Sequence, residues 1–232
     1  MDLEHEAKLI RMVEELKDCE NVNVLGHEKG PLADYLGTPE EALAFLRETH
    51  GVTLNPHFEE SFHRFSRFGL HWRGVGEKSS IGGEFYLVHI LNAIIGGRPA
   101  GLSSPKRSGR KSSLHSALRI FDSQPQGGVG TFAALRLRDG ADEPEIWYYH
   151  MNHGSIRLDI NYQDYLNNLL LTRGAYYWQY LFAGIPSDYY NFEEISSGLG
   201  QAIEFLSDNF PDNDYGDLRS RLDDGLARWR DS

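Results

Sequence analysis

Residues 145–166 read EIWYYHMNHGSIRLDINYQDYL, and a change of period inside this stretch decides the fold class. Its first half alternates. Ile146, Tyr148 and His150 fall on one side of an extended chain, and Trp147, Tyr149 and Met151 on the other. After Asn152, His153 and Gly154 the alternation resumes, with Ile156, Leu158 and Ile160 against Arg157 and Asp159. β-Branched and aromatic runs on either side of a turn ending in glycine predict a hairpin. At Asn161 the period becomes helical, because Tyr162, Tyr165, Leu166, Leu169 and Leu170 fall on one helical stripe. Asn161 is placed to cap that helix and Gly174 to end it. A hairpin running straight into an amphipathic helix predicts an α+β domain, with an antiparallel meander sheet backed by helices.

Upstream, residues 3–17 predict a helix with Ala7, Ile10, Val13 and Leu16 on one side. Asn21 to Gly37 carries Gly26, Gly30 and Pro31 and reads as a loop. Thr38, Pro39 and Glu41 then form a helix start with a capping box, and Gly51 a stop. Asn55-Pro56 repeats the start signal, and Phe58, Phe62 and Phe65 predict a second helix whose stripe is core, ended by Gly69. Ile81 to Leu91 reads as a strand, as do Leu118 to Phe121 and Thr131 to Leu137. The last joins the hairpin through an acidic loop from Asp139 to Glu143, which completes the meander. Between them, Arg98 to Ser113 is rich in Gly, Pro, Ser and cations and is expected to be a mobile basic loop. After Gly184, two helices are expected, one with Leu199, Ala202, Ile203, Leu206 and Phe210, the other with Leu218, Leu222 and Trp229. The expected division is an N-terminal helix and linker over 1–37, the α+β domain over 38–183 and a helical extension over 184–232.

Composition narrows the class. In 232 residues, 40% hydrophobic content is ample for a core, and Cys19 stands alone, so no intramolecular disulfide can form. The acidic start has no apolar leader pattern, and the longest apolar run, Phe85 to Ile95, is too short to span a bilayer. A cytoplasmic protein without membrane attachment is expected.

The net charge of −11 is unevenly spread. Residues 1–60 hold 5 Lys+Arg against 14 Asp+Glu, residues 61–138 hold 12 against 3, and residues 139–232 hold 6 against 17. Such a chain either neutralises itself in the fold or keeps an acidic surface that steers a basic partner.

No enzyme motif survives inspection. Gly82-Gly83-Glu84-Phe85 resembles the signature hairpin of diguanylate cyclases but is one residue short, at a metal-binding acid. Gly128-Val129-Gly130 precedes a strand and lacks a third spaced glycine. His150 and His153 have no Cys or Glu at ligand spacing, so neither a metal nor another cofactor is expected. Asp159 and Asp164 are the nearest approach to a carboxylate pair, and helix capping accounts for the second. The basic loop with Arg107, Arg110 and Lys111 lacks aromatics for stacking bases and lies between acidic segments, so direct nucleic-acid binding is not expected.

The order of elements resembles the SUKH superfamily, which holds bacterial immunity proteins and fungal regulators of cell-wall assembly. The residues that carry the likeness are Glu41 to Glu48, then Gly51-Val52-Thr53-Leu54-Asn55-Pro56, then Phe58 to Phe68. They continue with Ile146 to Tyr149, Gly154 to Ile160, Tyr162 to Leu171 and Trp178 to Phe182. The likeness covers roughly residues 38–182 and departs from the family pattern at Asn55, inserted before Pro56. It implies a non-enzymatic binding module, in bacteria one that blocks a cognate protein toxin, often a nuclease. A regulatory or scaffold module of the same superfamily, or an enzyme whose site carries no known motif, are the alternatives.

An acidic inhibitor of a nuclease is physically sensible, since carboxylates can occupy a surface built to hold phosphate. The expected interface joins acids to aromatics: Asp139, Asp142 and Glu143 in the acidic loop, with Trp147, Tyr149 and Asp159 in the meander. Trp147 and Tyr149 are left partly exposed if helices cover the Ile146 face, and are core if the C-terminal helices cover theirs.

Overall fold

The computed structural model describes residues 4–32, 37–96, 114, 117–127, 130–138, 140–184 and 192–231. The basic loop, Asp139 and the Gly128-Val129 pair lie outside the described residues.

The chain is α+β, with two antiparallel sheets where one was expected. Its elements are α1 (Glu4–Asp18), β1 (Val22–Lys29), α2 (Pro39–His50), β2 (Arg67–Gly74), β3 (Gly82–Val88) and α3 (Ile90–Gly96). There follow β4 (Leu118–Ser123), β5 (Phe132–Arg136), β6 (Glu145–His150), β7 (Gly154–Arg157), α4 (Tyr162–Thr172), α5 (Phe192–Asn209) and α6 (Gly216–Arg230). One sheet runs β1-β2-β3 and the other β4-β5-β6-β7, the meander predicted from the hairpin.

The capping signals act as the sequence indicates. Thr38 accepts the Glu41 N–H while the Glu41 carboxylate accepts the Thr38 N–H, and Gly51 closes α2 at φ 66°. Asn161 accepts the Asp164 N–H at 2.8 Å. α4 ends one residue early, on Arg173 at φ 52°, with Gly174 following at φ 67°. α1 buries Leu9, Met12, Val13 and Leu16, whereas Ala7 is exposed.

Three local readings are corrected. The loop expected over 21–37 contains β1, an edge strand whose bulge between Val24 and Gly26 accommodates the glycine and leaves Leu25 exposed. The phenylalanine helix is only a 3-10 turn at Pro56–Glu59, after which the chain extends into β2. Phe58, Phe62 and Phe65 are nonetheless buried, so the stripe was core for a different reason. Gly69, read as a helix stop, sits mid-strand because the Tyr86 ring lies over it, 2.7 Å from where a Cβ would be. The strand expected to reach Leu91 gives way at His89 to α3.

A single large apolar cluster draws on α1, both sheets, α4, α5 and α6. The C-terminal helices dock on the first sheet and on the turn after α4, where Trp72 stacks on Phe205 and Arg221 lies 4.6 Å from the Phe182 ring centre. Within the segment expected to be helix and linker, Val22–Lys29 is a strand of the first sheet. A buried carboxylate ties the two sheets together: Asp122 of β4 accepts the Tyr86 N–H of β3 at 2.9 Å and the Tyr165 hydroxyl of α4 at 2.7 Å. No helix among the described residues is long and apolar enough to cross a membrane.

Candidate functional site

Acidic side chains are favoured in the first turn of a helix, where the macrodipole is positive. Glu4 of α1, Glu40 of α2 and Asp164 of α4 occupy such positions, and the fold brings these three helix starts to one side of the molecule. Glu59 and Glu60 at the end of the 3-10 turn line the same cleft.

The β5–β6 connection adds Asp142 and Glu143. The Asn55 N–H donates to the Asp142 carbonyl at 2.9 Å, which pins this loop beside the 3-10 turn. Burial raises the pKa of Glu143, and the neighbouring charges of Asp142 and Asp164 raise it further. Gln163 links the two groups of acids. It lines a small cavity with His57 and Glu143, and its side-chain amide donates to Glu60 at 2.7 Å. That hydrogen bond, together with His57 Nδ1 at 3.2 Å, holds the Glu60 carboxyl below its usual range.

Beyond Gln163 a polar cleft of about 670 Å3 opens, walled by Glu4, Glu40, Glu59 and Glu60. Among the described residues its one lysine is Lys8, paired with Glu4 at 2.7 Å. The result is a carboxylate band in two groups joined at Gln163: Asp142, Glu143 and Asp164 on one side, Glu60, Glu59, Glu40 and Glu4 on the other. Its chemistry is attraction of cations.

The floor of the cleft includes buried His5, and behind it His63 and His89 are buried as well. Burial lowers their pKa values to about 4, about 3 and about 4, so all three are neutral at pH 7. His89 Nδ1 accepts the Leu91 N–H at 3.2 Å. Among the described residues His5 Nε2 has no hydrogen-bond partner, and the backbone near His63 and Phe65 supplies only weak contacts to the His89 and His63 rings. The Glu6 carboxylate beside them is committed to Arg64, accepting its backbone N–H and its Nε, each at 2.9 Å.

The aromatic half of the expected interface lies elsewhere. Trp147 and Tyr149 point away from the helices and are half-buried in a small separate cluster with Leu114, Leu118, Ile120, Phe132 and Ala134. No residue of α5 or α6 belongs to that cluster. Tyr149 stacks on Phe132 at 4.8 Å, and Trp147 donates to Glu145 at 3.0 Å under the Arg136 guanidinium. Arg138 and Arg157 also converge on Glu145, so these aromatics have cationic surroundings rather than acidic ones. Asp159 is exposed between β7 and α4, where its N–H donates to the Phe182 carbonyl at 2.8 Å. Of the expected acids, Asp142 and Glu143 enter the band, and Asp139 lies outside the described residues.

Glu4, His5, Glu40, Glu59, Glu60 and Asp164 were not singled out from the sequence as an interface. The signal was present in the acidic excess of residues 1–60 and in the helix-start motifs, which attract acids. His150 and His153 stack at 4.5 Å. The described residues contain no group of three or more His, Cys, Asp or Glu placed to hold a metal ion. No family model, curated protein or solved structure matches the chain.

Proposed function

We propose that this chain is a non-enzymatic protein-binding module, an immunity protein of SUKH type that neutralises a basic toxin in the bacterial cytoplasm. The observation that carries the reading is the carboxylate band running from Asp142 to Glu4 through the Gln163 link. A nuclease toxin presents cations to phosphate, and such a band competes for them with steered, fast association.

Co-expression with the toxin domain encoded beside this gene tests the proposal. Growth is expected to be rescued by the wild-type chain and lost with the triple variant Asp142→Lys, Glu143→Lys, Glu60→Lys. Absence of rescue by the wild type overturns the immunity reading. Rescue that survives the triple variant moves the interface off the acidic band.

A further inference from the structure

A second cavity, of about 390 Å3, opens beyond the C-terminal end of α4, where the β6–β7 turn meets the chain after Gly174. The acidic cleft flanks the other end of that helix, so α4, about 16 Å long at 1.5 Å per residue, separates the two. The volume falls in the range of small-molecule sites, roughly 300–1,000 Å3.

Its lining is unusual for this molecule. A quarter of the chain is charged, yet among the described residues no Asp, Glu, Lys or Arg lines the cavity. Gln124, Thr131 and Asn152 supply amides and a hydroxyl. His150, Tyr176 and Tyr177 supply rings, and the imidazole is neutral because burial lowers its pKa. Gln124 is only 4% exposed, and among the described residues neither its buried Nε2 nor the buried Tyr176 hydroxyl has a hydrogen-bond partner. Buried amides and phenols without partners are uncommon in folded proteins and call for an explanation.

Tyr177 is held at φ 69°, a left-handed conformation that a bulky side chain rarely adopts. That backbone places its ring, 38% exposed, beside the cavity. Strain of this kind persists where surrounding structure enforces it and clusters at ligand sites. The nearby loop is fixed from behind, since the Glu84 carboxylate accepts the N–H groups of Gln126 and Gly127 at 2.7 and 2.5 Å. Glu84 is thereby held as a loop clamp; its charge reaches Tyr176, but it does not line the cavity.

Uncharged donors and acceptors combined with aromatic faces define the occupant. Phosphates and carboxylates would lack a cationic partner, and ammonium groups an anionic one. A sugar ring offers hydroxyls around its edge for the amides and an apolar C–H face for the rings. We infer that this cavity binds an uncharged saccharide, with Gln124 and Asn152 bonding its hydroxyls and Tyr177 covering one face. The inference stands apart from the toxin-binding proposal.

Titration of the 15N-labelled chain with glucose, galactose, N-acetylglucosamine and glucose 6-phosphate tests it by NMR. At least one of the three neutral sugars is expected to give saturable shifts at Gln124, Thr131 and Tyr177. The phosphate ester is expected to bind at least tenfold more weakly than that sugar. Tyr177→Gly removes the ring where φ already suits glycine, and Gln124→Leu removes an amide whose nitrogen has no partner among the described residues, so each variant is expected to fold. Each should weaken sugar binding at least tenfold. No saturable shift with any neutral sugar overturns the inference. So does a phosphate ester that binds as tightly, or unchanged affinity in whichever variant gives a native spectrum.

Discussion

The rings of His63 and His89 meet edge to face at 5.6 Å inside the core, both buried. With His5 they form a set of three histidines held neutral by burial. Their surroundings include Glu6, Arg64, Lys8 and Glu4, of which Glu6 is bonded to Arg64 and Glu4 to Lys8.

Acid lability follows. A histidine whose folded pKa is depressed stabilises the fold above its unfolded value of 6.5, and the stability falls as the unfolded state takes up protons below it. For three such groups the loss at pH 5.5 relative to pH 7.5 is about 4 kcal/mol. Asp122 has the opposite sign. Burial raises its pKa to about 6, so protonation of the native state between 6 and 3.8 adds stability. One acid offsets about 1 kcal/mol at pH 5.5, leaving a net loss of about 3 kcal/mol. Urea unfolding at the two pH values measures this. His63→Phe should flatten the pH dependence, and an unchanged slope contradicts the assignment.

Arg173 is a second buried charge with a structural role. Its guanidinium lies 2.6 Å from Glu15 of α1 and 3.6 Å from the Phe210 ring centre, so it joins α1, the end of α4 and the end of α5. Arg173→Ala loses both contacts and leaves the backbone conformation as it is, with an expected cost of about 3 kcal/mol by denaturant unfolding. Glu15→Ala leaves the buried guanidinium without its carboxylate and should cost about 2 kcal/mol.

Thr38→Ala removes one half of the capping box at the start of α2. The expected destabilisation is about 1 kcal/mol, and a loss of helix content confined to residues 39–50 in hydrogen exchange locates it.

The hairpin, α4 and the capped start of α2 were legible because each is specified by a local period or a short-range hydrogen bond. Where tertiary contact decided, the sequence misled. Pro56 and three phenylalanines resemble a helix, but pairing with β1 and β3 draws Arg67–Gly74 into a strand. Gly69 punctuates a sequence, yet here it makes room for Tyr86. At the site, Asp142 and Glu143 were visible as a charged loop. Their neighbours Glu59, Glu60 and Asp164 became so only when three helix starts converged. Trp147 and Tyr149 alternate with Ile146 and Tyr148 in sequence, and that alternation turns them to the opposite face of the sheet from the core.

The same separation yields a contrast at the interface. Trp147→Ala should leave association with a basic partner unchanged, because its surroundings are Arg136, Glu145 and Arg157 rather than the acidic band. Stopped-flow association kinetics with the rescuing toxin domain would show a slowed rate if the aromatic face takes part.

The most direct test of the central claim is the salt dependence of that association rate, for wild type and for Asp142→Lys, Glu143→Lys, Glu60→Lys. Steering by a carboxylate band raises an association rate by roughly 10–1,000-fold and fades as salt screens it. The triple variant is expected to associate at least tenfold more slowly at low salt, with a flattened salt dependence and an unchanged unfolding midpoint. An unaltered rate and salt slope in a folded triple variant would contradict it.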